Sequence, residues 1–167
     1  MKKFISILLI VAFCLSISGC QQKTEPIKSP VTFYYSRAEF DHGNQDSVIL
    51  GETRESAGLK SDLIKLLNEY LAGPLSDQLT SPSPGGTRVK NIWIENDVAI
   101  LSVTDQMSLA RGIQLTLACA CLAKTFMEIS GIETVKIQAQ TVKLSATGYI
   151  LIDKDNILLL DSTEINP

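Results

Sequence analysis

Histidine is nearly missing from this chain: His42 is the only one in 167 residues. Asp41 and Asp46 flank it, but without a second histidine they do not make a usual zinc ligand set, and the segment reads as a loop. No histidine base stands near a serine, and no Gly-x-Ser-x-Gly elbow occurs. A glycine-rich phosphate loop is also absent. Aromatics make up 6% of the residues, and no basic run stands out, which argues against nucleic-acid binding. Cysteine is scarce as well, with four: Cys14, Cys20, Cys119 and Cys121. The last two are two apart in a helical run, so they point to opposite sides and cannot easily bridge each other. Their neighbours are apolar, so nothing there lowers a thiol pKa. No catalytic set, cofactor site or metal site emerges, and the chain reads as no enzyme.

The N-terminus carries no run long enough for a comfortable membrane span. Its apolar stretch, Phe4 to Ile17, falls short of one. It follows Lys2 and Lys3 and ends in Ser18-Gly19-Cys20, the layout of a secretory signal peptide. Ile17-Ser18-Gly19-Cys20 resembles the bacterial lipobox. The resemblance implies that residues 1–19 are removed and that Cys20 carries a diacylglyceryl anchor on the extracytoplasmic face of the cell membrane. Residues 20–30 are polar, with Pro26 and Pro30, and read as a tether. Removing Lys2 and Lys3 leaves 13 basic against 18 acidic residues, a net charge of −5. The remaining 31–167 is long enough for one domain with its own core.

Within that domain, Val31 to Ser36 is β-branched and aromatic and predicts a strand. Ser47 to Leu50 predicts a short second one. Leu59 to Ala72 predicts an amphipathic helix, with Leu59, Leu63, Leu66, Leu67 and Tyr70 on one face and Ser61, Lys65, Asn68 and Glu69 opposite. Gly73 and Pro74 end it. Thr87 to Glu95 and Val98 to Val103 predict a hairpin around Asn96-Asp97, residue types that tolerate positive φ. Ser108 to Ser130 predicts a longer helix stopped by Gly131, and Glu133 to Ala139 a strand. Tyr149 to Ile152 and Ile157 to Leu160 predict a C-terminal hairpin. Asp153, Asp155, Asp161 and Glu164 have calcium-loop spacing, but Leu158 stands where that loop needs glycine. The order β-α-β-β-α-β predicts an α+β fold: a small sheet of antiparallel or mixed strands with two helices packed on one face, plus the hairpin.

In that order, "VTFYYS" (31–36), "ETR" (52–54), "LLNEYLAGP" (66–74), "PGGT" (84–87), "NDVAILSVT" (96–104) and "GIETVKIQ" (131–138) resemble the GerMN domain of bacterial sporulation and germination lipoproteins. The resemblance covers about 31–140, leaving 141–167 as an extension. Such domains are similar in topology to ring-building modules. The resemblance implies a non-enzymatic interaction or assembly role in sporulation or germination, with a protein partner or a homo-oligomer. A solute- or envelope-polymer-binding lipoprotein, accessory to a transporter or the cell wall, is the competing reading.

The second helix holds the candidate interface. Leu115, Cys119, Leu122, Phe126 and Ile129 form the face expected to meet the sheet. Ile113, Leu117 and Cys121 lie opposite and are apolar, where a helix packed by one face should be polar. Either the 37–56 segment or the C-terminal hairpin covers them, or they form an exposed partner-binding patch.

Overall fold

The computed structural model describes residues 28–39, 48–57 and 62–157. Cys20, the signal segment and His42 lie outside them. The described chain forms seven strands and three helices, arranged as two sheets. Strand β1 (Lys28–Arg37) pairs antiparallel with β2 (Ile49–Ala57) and, over two residues, with β3 (Leu79–Thr80). Strands β4 (Val89–Glu95), β5 (Val98–Val103), β6 (Thr134–Ala139) and β7 (Tyr149–Asp153) form the second sheet in that order. Among the described residues only the β5–β6 pairing is parallel, and α2 (Ile113–Ser130) provides its crossover. The mixed α+β class read from the sequence is the class observed, in two sheets rather than one.

The β4–β5 hairpin closes as its residues dictate. Glu95 pairs with Val98, and Asn96 and Asp97 take φ of 50° and 64°, a turn whose twist matches that of the strands. Helix α1 (Leu63–Tyr70) starts at Asp62, whose carboxylate accepts the amide of Lys65. It buries Leu66, Leu67 and Tyr70, as its 3.6-residue pattern predicts.

Helix α2 departs from expectation in two ways. It begins at Ile113 rather than Ser108, because Asp105–Leu109 forms a separate 3-10 turn and Gly112 breaks the chain at φ 55°. It is also buried on both sides. Ala118 to Ala123, Thr125 and Phe126 are all buried. The helix lies between the sheets, with β1 along one side and β6 and β7 along the other. The Thr125 hydroxyl accepts the Tyr34 amide at 2.9 Å, so the helix covers an edge of β1. Its length and hydropathy would suit a membrane span, but its place in the core accounts for both.

Two other segments differ. Strand β2 is nine residues long, because its polar "GETRES" pairs fully with β1. The C-terminal hairpin does not form as read: β7 pairs with β6, and Lys154–Ile157 is a short helix, α3. Residues 158–160, its other arm, lie outside the described chain. Leu144, Ile152 and Ile157 join the core, so the described residues from 144 to 157 belong to the same packed unit.

Candidate interaction surface

Glu52 and Arg54 sit on the β2 face shared with Val31, Phe33 and Tyr35 of β1. Phe33 and Tyr35 stack toward Tyr70 of α1, with ring centroids 5.9 and 4.9 Å away. The Arg54 guanidinium lies over the Phe33 ring at 5.0 Å and reaches past it to the end of α1. There its Nη2 donates to the Gly73 carbonyl at 2.8 Å and to the Tyr35 hydroxyl at 3.1 Å. The Tyr35 hydroxyl donates to the Tyr70 carbonyl at 2.8 Å. Carbonyls at a helix C-terminus have no partner within the helix, so two side chains from the neighbouring sheet supply them.

Glu52 completes the arrangement. One carboxylate oxygen takes the Arg54 Nε hydrogen, and the other accepts the amides of Leu75 at 3.0 Å and Ser76 at 2.9 Å. Burial opposes its ionisation. The Ser76 amide, the Arg54 guanidinium and the Leu75 amide outweigh that and hold its carboxyl below the usual range. Burial pushes the Tyr35 hydroxyl well above its ordinary value, against the pull of Arg54. Both charges of the "ETR" segment are thus consumed in clamping the turn after α1. Gly73, at φ 113°, gives that turn a conformation closed to other residues.

The thiols of Cys119 and Cys121 are fully buried, and burial pushes both up to about 12. They stay protonated at physiological pH. Among the described residues, no group of three His, Cys, Asp or Glu side chains could hold a metal. An open depression of about 570 Å³, lined by Arg37, Glu39, Leu50, Asp77 and Gln78, carries mixed charges and no convergent set.

The interface expected on α2 breaks apart. Cys121 is completely buried, so it presents nothing to a partner, and Leu117 is half-buried against the core. β1 provides the cover: Lys124 lies over the Tyr34 ring at 4.9 Å, one turn beyond Cys121. Ile113 alone stays out, 77% exposed.

The outer face of the second sheet was not anticipated as a surface of interest. Ala99, Leu101, Val135 and Ile137 point into the core, so the alternate residues of the same strands share the opposite face. Trp93, Ile100, Lys136 and Leu151 stand in register across it. Lys136 covers the Tyr149 ring at 4.3 Å, and Leu151 is half exposed. Alternation in "NIWIEN" and "GYILID" was the available signal, obscured because both faces of these strands are apolar.

The profile of the Germane family, described as sporulation and spore germination, matches residues 32–143. Two solved structures share the fold. The first GerMN domain of the sporulation protein GerM from Bacillus subtilis aligns at 19% identity, with a TM-score of 0.53, over 74% of this chain and 95% of that one. The tandem GerMN domains of the same protein align at 19% identity, with a TM-score of 0.55, over 75% of this chain but 45% of that one. This chain therefore spans about one of the two domains. A structure described as a lipoprotein from Clostridium perfringens aligns at 18% identity, with a TM-score of 0.45, over 80% of this chain and 93% of that one. Among curated proteins, none matches the sequence significantly.

Proposed function

This chain belongs to the Germane family, and from that premise we propose that it is a lipoprotein, anchored through Cys20 to the outer face of the cell membrane. On this reading its GerMN-like domain is a non-enzymatic assembly module that binds a protein partner or a second copy of itself during sporulation or germination. The observation that carries the proposal is the fate of Glu52 and Arg54. A charged pair that could have marked a reactive site spends its hydrogen bonds on Gly73, Leu75 and Ser76. The surface best placed for a partner is the outer face of the second sheet, where Trp93, Lys136 and the half-exposed Leu151 stand in one row.

The test is site-directed photocrosslinking in intact cells from position 136, at the centre of that face. A specific protein adduct, or a crosslinked dimer, that disappears in Leu151→Glu supports the proposal. No adduct from that face, together with full biological activity of Trp93→Glu and Leu151→Glu, would reject it.

A further inference from the structure

Strand β2 has β1 on one side and, among the described residues, no strand on the other. Its register shows which groups face outward. The Arg37 amide donates to the Val48 carbonyl at 3.0 Å, so the alternate residues Leu50, Glu52 and Arg54 turn their backbone groups to β1. Gly51 and Thr53 turn theirs away from it. The other sheet edges are blunted. The far side of β1 has Pro30, which lacks an amide hydrogen, then the Thr125 hydroxyl on the Tyr34 amide, then β3. Strand β4 carries the register irregularity between Val89 and Asn91, and β7 is five residues long and runs into α3. Strand β2 is nine residues long, with no proline, lysine or register shift, so it lacks the usual defences of an edge strand.

We propose that β2 pairs antiparallel with β2 of a second copy, about a two-fold axis at Thr53, so that the two three-stranded sheets join into one. The charge pattern of the strand selects a second copy over a foreign segment. With the axis at Thr53, Glu52 falls opposite Arg54 of the second copy, twice by symmetry, and Glu55 falls opposite Gly51. Opposite charges meet and like charges do not. An axis at Glu52, Arg54 or Glu55 would set identical charges face to face. The Thr53 axis also suits the backbone, because it lets Thr53 exchange two hydrogen bonds with its twin through groups that already point outward. Leu75 adds an apolar contact. Its amide lies 3.0 Å from the Glu52 carboxylate, yet the residue is 80% exposed. The clamp thus holds a bare leucine beside the seam, and the two-fold brings the second copy's leucine toward it. This seam is separate from the outer face of the second sheet and does not depend on a lipid at Cys20.

Sedimentation equilibrium of the full chain in detergent, at micromolar concentration, reads the stoichiometry. The proposal predicts a dimer for the wild type. Thr53→Lys, which sets two like charges opposite each other at an exposed position, should halve the mass and leave the circular dichroism spectrum unchanged. Thr53→Cys locates the seam. In intact cells a short bismaleimide should join the new thiol to its twin and give a band at twice the chain mass, which Leu75→Glu reduces. Cys119 and Cys121 are buried and do not compete. A monomeric wild type overturns the proposal. So does a dimer that Thr53→Lys leaves intact, because another surface then holds it. An adduct between position 53 and a different protein, without the dimer band, assigns the edge to that partner and overturns it equally. Adducts from position 136 report on the other surface, so the two readings fail separately.

Discussion

Arg54 donates to the Tyr35 hydroxyl at 3.1 Å, and each donates onward to a carbonyl at the end of α1, Arg54 to Gly73 and Tyr35 to Tyr70. The two side chains come from adjacent antiparallel strands and meet a helix that follows both in sequence. The corner after α1 is therefore built by residues about 20 to 40 positions upstream of it.

Tyr35 and Tyr70 stack on each other but carry opposite obligations. The Tyr35 hydroxyl is satisfied by three groups, whereas that of Tyr70 is buried without a partner among the described residues. Tyr35→Phe should cost about 0.5–1.5 kcal/mol in a urea denaturation, because it removes a buried hydrogen bond while the Tyr70 and Gly73 carbonyls keep the Gly73 amide and Arg54 as partners. Tyr70→Phe should be neutral or stabilising. Equal losses in the two variants would contradict these assignments.

Stability should depend on acid through Glu52. Its folded carboxyl lies below the ordinary value of 4.5. A depressed folded pKa means the contribution is complete above the unfolded value and fades as pH falls through the folded one. The stability gap between wild type and Glu52→Gln should thus be constant at neutral pH and narrow below about 4.5. A gap that widens on acidification would reverse the sign and exclude the clamp.

Asn68 is the clearest limit of helical-face reasoning. The 100° periodicity puts it opposite the buried leucines, where a substitution should cost under about 0.5 kcal/mol. In the structure its amide exchanges two hydrogen bonds with the backbone of Val89, at 2.9 and 3.0 Å, beside an irregularity in the β4–β5 register. Asn68→Ala should cost about 1–3 kcal/mol by thermal or chemical denaturation. Lys65→Ala, on the exposed side of the same helix, should stay within about 0.5 kcal/mol.

Local chemistry was readable in this sequence wherever local chemistry decides the structure. Asn96-Asp97 announced a tight turn, Gly131 a helix end, and Leu66, Leu67 and Tyr70 a buried face. Contacts from far along the chain were not. β2 looked polar because Glu52 and Arg54 find their partners at Gly73 to Ser76. The far side of α2 looked like an interface because nothing local says that β1 returns to cover it. The clue was compositional: Ala118, Ala120, Ala123, Cys119 and Cys121 are small and apolar around the whole helix, as a helix between two sheets requires.

The same burial predicts slow cysteine chemistry. Cys119 and Cys121 should resist an aromatic disulfide reagent at neutral pH, reacting only as fast as the domain opens, and react at once in denaturant. Rapid labelling of the native protein would place a thiol at the surface and return the Cys121 side of α2 to consideration as an interface.

The clamp is the centre of this account, and amide hydrogen exchange at Leu75 and Ser76 tests it most directly. Both amides donate to Glu52 Oε2. In Glu52→Ala their protection should collapse toward that of an open loop, while the amides of β5 and β6 keep theirs. If Leu75 and Ser76 exchange equally slowly with and without the Glu52 carboxylate, the pair does not hold this corner. Its charges would then be free for another task.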